Sequence, residues 1–234
     1  MGSRVERVRV ASGQIPELAA RNIERTLAEA LGKRGQASLC LAGGTTPRAS
    51  YEALARSSDL AWSHVSIYFG DERCVPPEHP ESNHRMARAA LLDRVAVPAS
   101  RVHRMRGEDA DRDAAARDYE SLLPPHFDVL VLGIGEDGHT ASLFPRSPAL
   151  VEVNRRVLPV VAPKPPPERL TLTPRALVSD GLTLVLAAGA GKAAAVARAL
   201  EGAPDVDGCP AQLFRDAVWI VDHDAASELA GAWP

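Results

Sequence analysis

Short unbroken apolar runs alternate along this chain with stretches in which apolar residues return every three or four positions. The second pattern is plain over residues 21–34, where Ile23, Leu27, Ala30 and Leu31 share one side, and it predicts a helix. Residues 38–42 form an apolar run that stops at Gly43-Gly44 and predicts a strand. Pro47 then suits the first turn of a helix carrying Tyr51 and Leu54. Residues 65–69 predict a second strand, ending at Gly70-Asp71-Glu72-Arg73, and residues 82–92 and 109–122 predict helices. Residues 127–132 are almost continuously apolar, as in a strand buried on both faces, and end at Gly133. Strands are expected over 156–161 and 169–173, on either side of the proline-rich 163–167, and again over 182–188, which ends at Gly189. A helix over 193–200, a strand over 217–221 and a closing helix from about Ala225 complete the reading.

Strands that alternate with helices in this way predict an α/β domain with a mostly parallel sheet. In such sheets ligands bind at the carboxyl ends of the strands. Four of these ends carry glycine beside polar residues: Gly43-Gly44-Thr45-Thr46, Gly70-Asp71-Glu72-Arg73, residues 133–140, and Gly189 to Lys192. In a parallel sheet they share one rim, and that convergence says more than any one of the motifs.

Composition narrows the class. The chain has 234 residues, enough for one large domain, and one domain over 1–234 is expected. Aromatics are only 4%, so the core must be aliphatic and alanine-rich, and a net charge of −3 gives no overall pull towards nucleic acid or an anionic membrane. No apolar run is long enough to span a bilayer, and residues 1–10 alternate charged and apolar residues without the apolar centre of a signal peptide. Cys40, Cys74 and Cys209 are odd in number and far apart, which fits reduced thiols in the cytoplasm better than a disulfide scaffold or zinc knuckle.

Each rim segment has a chemical reading and a plain one. At Gly43-Gly44-Thr45-Thr46, glycines admit an anion close to the backbone while a helix N-terminus and hydroxyls offer donors. The plain alternative is a tight turn with Thr46 as the cap. Arg73 can grip a phosphate with its planar fork, or belong to a surface ion-pair cluster with Asp71 and Glu72. Gly133-Ile134-Gly135-Glu136-Asp137-Gly138 matches the dinucleotide fingerprint formally, but Pro145 cuts off the long helix that fingerprint needs. The next residue is His139, which can act as a general base, with Asp137 two residues earlier to orient it. The plain reading is a histidine that merely ties its loop. Gly189-Ala190-Gly191-Lys192 resembles part of a P-loop, yet Leu186 and Ala193 stand where that motif needs glycine and a hydroxyl, which argues against ATP. Lys192 can still serve as a point charge for phosphate, or be a solvated helix-end lysine. His64, His79, His84, His103, His126 and His223 have no metal-ligand spacing, and with no GxSxG elbow Ser142 reads as a capping residue.

Taken together, the ordered segments resemble the 6-phosphogluconolactonase family, within the superfamily that also holds glucosamine-6-phosphate deaminase. The likeness runs from residues 42–47 through 70–73, Glu81-Ser82-Asn83, 133–145 and 167–173 to 189–192. It implies a three-layer α/β/α fold of modified Rossmann-like topology. It also implies a substrate site built from Gly43, Gly44, Thr45, Asp71, Arg73, Arg169 and Lys192, with His139 and Asp137 as the catalytic pair and no metal or organic cofactor. Arg169 enters only through the resemblance. The family's usual serine in the first loop is Thr45 here. The deaminases carry Asn-Glu-Pro soon after their histidine and tyrosine in place of Arg73. This chain has Leu143-Phe144-Pro145 and Arg73, which favours the lactonase over an amino-sugar phosphate deaminase. A non-catalytic sugar-phosphate sensor is a further alternative, against which the retention of His139 and Asp137 argues. The expected partner is a small phosphorylated sugar lactone, with no nucleic acid and no membrane, for a monomer or small homo-oligomer.

Overall fold

The computed structural model describes residues 7–57 and 59–231. Its centre is a six-stranded parallel sheet in the order β1-β9-β8-β5-β2-β3, formed by Arg7–Val10, Val218–Asp222, Ser179–Ala187, Phe127–Gly133, Ala37–Leu41 and Val65–Phe69. Alternation across the pleat divides the apolar residues between two faces. In β5, Val129 and Val131 pack with one set of helices, whereas Leu130 and Leu132 pack on the other side. The first face is covered by α1 (Ile15–Arg34), α2 (Thr45–Ser57) and α3 (Asn83–Ala90), and the second by α4 (Arg112–Leu122) and α5 (Ala193–Glu201). This is the three-layer α/β/α arrangement that the element pattern and the resemblance lead one to expect. The part of the N-terminal expectation that concerns residues 1–6 lies outside the described residues, as do residues 58 and 232–234.

Three features depart from the sequence reading. Asp71–Arg73 is not a loop after a strand but a strand, β4, antiparallel to β7 (Glu168–Leu172), which in turn pairs with β6 (Val157–Val161). These three form a separate sheet, in the order β4-β7-β6. Gly70 is the joint between the sheets: its N–H donates to Leu41 O at 2.9 Å, and its carbonyl accepts from Leu172 N at 2.9 Å. β6 is the outer strand, paired on one side only, and Pro159 stands in its middle. The third departure is the chain end. Residues 223–228 form turns rather than a closing helix, with i→i+4 and i→i+3 hydrogen bonds mixed and none sustained.

Two buried tyrosines fix the strand ends that carry the rim. The Tyr51 hydroxyl on α2 accepts from Ala42 N at 2.8 Å and donates to Ala42 O at 3.1 Å. The Tyr119 hydroxyl on α4 does the same for Phe69, at 2.8 and 3.1 Å. At both points the chain is leaving its ladder, and a phenol meets the amide groups that would otherwise be buried unpaired.

Candidate active site

The rim segments meet as expected. Gly43, Gly44, Asp71, Arg73, His139, Arg169 and Lys192 all line one cleft of about 190 Å³ at the carboxyl ends of the strands. Thr45 is exposed at the start of α2, one residue beyond the lining. Asp137 reaches the cleft through His139.

The histidine segment is a tight loop closed on itself. Gly135 N donates to His139 O at 2.8 Å, Gly138 N to Gly135 O at 3.0 Å, and the Thr140 hydroxyl to Gly133 O at 2.9 Å. Gly138 has φ of +91°, which a side chain resists, and its carbonyl accepts from Ala211 N. Inside this loop His139 Nδ1 lies 2.5 Å from Asp137 Oδ1, and the same oxygen accepts from His139 N at 3.2 Å. With Nδ1 held by the carboxylate, Nε2 is left for the cleft. The Phe144 ring packs on the imidazole, with centroids 4.7 Å apart. No room exists for a side chain at position 135, since a Cβ there would overlap the His139 ring and lie 2.6 Å from Asp137 Oδ1.

Burial pushes the Asp137 carboxyl up, but the hydrogen bond and charge of His139 and its backbone N–H outweigh it and bring the group down to about 2. A folded-state value below the ordinary one means the pair's contribution is full above about pH 4 and fades as pH falls towards 2. Melting temperatures should therefore be higher for wild type than for Asp137→Asn above about pH 4 and converge near pH 2. A gap that ignores pH would mean Asp137 does not act as a carboxylate.

The cationic side of the cleft is held differently. Arg73 and Arg169 stand directly opposite each other in the β4–β7 register. Like charges so placed repel unless an anion lies between or beside them. Asp71 offsets this in part, with one carboxylate oxygen 4.0 Å from Arg169 Nη1. Both Asp71 oxygens are otherwise engaged, Oδ1 by Asn83 Nδ2 at 3.0 Å and Oδ2 by the Ser142 hydroxyl at 2.6 Å. Arg169 Nε donates to Pro166 O at 2.8 Å, and burial lowers its guanidinium from the ordinary value. Arg73 Nη1 donates to Glu81 O at 2.7 Å and Asn83 Oδ1 at 2.6 Å, so Arg73 is not the member of an ion-pair cluster that its neighbours suggested. Among the described residues neither Arg73 nor Lys192 has a carboxylate at ion-pair distance. Lys192 ends a 3-10 turn, Ala190–Lys192, before α5, and Asp222 at the end of β9 holds that loop by accepting from Gly189 N at 3.0 Å.

Spacing singles out none of Glu72, Asn83, Ser142 and Asp222 for the roles they take. Glu72 is 4% exposed and caps α3, accepting from Asn83 N at 2.7 Å, His84 N at 2.8 Å and the Ser82 hydroxyl at 3.0 Å. Ser142 is fully buried and ties the histidine loop to β4 through Asp71, a larger role than capping. A buried serine or asparagine carries no periodic signal, and only the Glu81-Ser82-Asn83 and 133–145 segments of the resemblance touch either one.

Such a fold and cleft define a class: an α/β enzyme with a cationic rim at the strand ends and a histidine–aspartate pair beside it. The chain belongs to the glucosamine-6-phosphate isomerases/6-phosphogluconolactonase family, whose model matches residues 12–221. It is 40% identical over 228 residues to the 6-phosphogluconolactonase of Mycobacterium tuberculosis, covering 90% of this chain and 92% of that protein. Among solved structures, 6-phosphogluconolactonase from Trypanosoma cruzi superposes with a TM-score of 0.85 at 28% identity, over 99% of each chain. A monomeric glucosamine-6-phosphate deaminase superposes with 0.84 at 25% identity, over 95% of this chain and 99% of that one. The fold is thus common to both activities, and the side chains must separate them. No helix among the described residues is long and apolar enough to cross a membrane.

Proposed function

We propose that the protein hydrolyses 6-phospho-D-glucono-1,5-lactone to 6-phospho-D-gluconate, with His139 as the general base. The observation that carries this reading lies beside the imidazole. The aromatic ring of Phe144 packs on it, at the sequence position where the resemblance puts the deaminases' glutamate, and Asp137 is the one carboxylate hydrogen-bonded to it among the described residues. The site therefore has what ester hydrolysis needs, one base and its orienting acid, while the other carboxylate of the cleft, Asp71, is held by Asn83 and Ser142.

The chemistry follows from the geometry. Asp137 fixes the tautomer by accepting the Nδ1 proton, as the acid does in other histidine–carboxylate pairs. The free Nε2 takes a proton from water, the hydroxide attacks the lactone carbonyl carbon, and the tetrahedral intermediate collapses by breaking the bond to the ring oxygen. The imidazolium returns its proton to that oxygen, so the histidine ends the cycle neutral. Arg73, Arg169 and Lys192, with the amides of Gly43, Gly44 and Thr45, hold the phosphate. Asp71 offsets part of the repulsion between the two arginines at this rim. The three thiols, two of them buried, fit a cytoplasmic setting.

The test is substrate discrimination. Phosphorylated lactone should be opened with kcat/KM on the order of 10²–10⁴ above that for unphosphorylated gluconolactone, since at least two charge-assisted contacts fall idle without the phosphate. Release of 6-phosphogluconate is read by coupling to its dehydrogenase. Comparable kcat/KM for the two lactones would remove the phosphate anchor from the reading.

A further inference from the structure

We infer that Asn83 is the positioning residue of the phosphate pocket: it docks Arg73 and sets the gap between that guanidinium and the first glycine loop. This rests on the reading of Arg73 as a phosphate contact.

Asn83 is the first residue of α3 and is 2% exposed. Its side chain joins three parts of the site. Nδ2 donates to Asp71 O at 2.9 Å and Asp71 Oδ1 at 3.0 Å, while Oδ1 accepts from Arg73 Nη1 at 2.6 Å. The chemistry fixes which end points where: turned over, the amide would set its N–H groups against a guanidinium and its oxygen against a carboxylate. An amide of this length is the side chain that can donate to Asp71 and accept from Arg73 at once. Its third contact is steric. A Cβ on Gly43 would overlap the Asn83 amide, so the glycine backbone lies directly on it.

Arg73 divides its labour accordingly. Nη1 is spent on Glu81 O and Asn83, whereas Nη2 has no partner among the described residues and Arg73 lines the cleft. One nitrogen is fastened to the protein, which leaves the other free to meet an anion in the cleft. Through Asp71 the same network reaches Ser142, in the segment that follows His139, which links the phosphate pocket to the catalytic loop by hydrogen bonds alone. The α3 N-terminus is anchored independently, by Ser82 and by Glu72 acting on the backbone. Truncating the Asn83 side chain therefore leaves the helix cap in place.

A double-mutant cycle on kcat and KM for both lactones tests this. Arg73→Ala should raise KM for the phosphorylated lactone about ten- to a hundredfold. Asn83→Ala should raise it about tenfold, shifting kcat much less, and should change kcat/KM for the unphosphorylated lactone by under about threefold. Added to Arg73→Ala, it should cost almost nothing more. Asn83→Ser, which shortens the side chain without setting a second carboxylate against Asp71, should lose nearly as much as Asn83→Ala and carries the cycle where the alanine variant does not fold. An equal loss on both lactones overturns the inference, as does a full additional loss in the Arg73→Ala background, while the phosphate reading survives. If Arg73→Ala leaves KM for the phosphorylated lactone unchanged, both fall together.

Discussion

His139→Asn should lower kcat for the phosphorylated lactone by about 10²–10⁴-fold, the span that general acid–base help supplies, with KM changed little. Asparagine keeps a hydrogen-bonding side chain of similar reach but cannot take a proton. The proposed phosphate contacts lie on β4, β7 and the strand-end loops at 43–45 and 189–192, and none of them is hydrogen-bonded to the His139 side chain. Its own backbone N–H to Asp137 survives the substitution, so the loop keeps its shape. Stopped-flow or coupled assays at saturating substrate, with melting temperatures alongside, separate loss of chemistry from loss of fold. A variant with near-normal kcat would exclude His139 as the base and leave the cleft a binding site without an assigned proton acceptor.

Gly135→Ala should come close to that loss, about 10²-fold in kcat, without removing any reacting group. The added methyl would occupy the space of the imidazole and press on Asp137 Oδ1. Either the ring swings away or the loop opens, and a displacement of about 1 Å at the reacting group costs on the order of 10² in rate. Opening the loop would break the Gly135 N to His139 O bond, so the two responses differ in stability. A swung ring leaves the melting temperature near wild type, and an opened loop lowers it by several degrees. A kcat within about threefold of wild type would show that the histidine–aspartate geometry is not as confined as the structure has it.

The legible part of the fold was the part governed by local pattern. The buried run of β5, the glycine at its end and the histidine loop lie within a few residues of one another, and each announces the next. The parallel sheet is legible because its strands are short apolar runs and the segments between them are long enough for helices. What could not be read depends on distant pairing. β4 has three residues, too few to show a period of two, and its partner β7 lies almost 100 residues further on. Arg169 faces Arg73 only because that pairing exists, so composition and spacing leave it on the surface. Asn83, Ser142 and Asp222 act by hydrogen bonds between elements far apart in sequence. The segment from Ala225 has the composition of a helix, but Asp222 accepts from Ala225 N at 2.7 Å and from Gly189 N, and the chain folds round that carboxylate in turns. Shared composition with a helix was a weaker influence there than one buried acid.

Pro159 has a consequence beyond the site. The β6–β7 register, with Ala162 N bonded to Pro167 O and Thr173 N to Arg156 O, makes 158, 160 and 162 the positions that bond inward to β7. Residues 157, 159 and 161 turn their amides to the open edge. The proline therefore gives up no hydrogen bond within the protein, and at the midpoint of the edge it leaves a gap where a donor would stand. Val157-Leu158-Pro159-Val160-Val161 is otherwise the kind of uncharged, β-prone segment on which a second chain can add a strand. Missing its central donor, the edge is a poorer template for that addition. Pro159 thus guards the outer border of the small sheet by removing a donor, where other edges rely on charge.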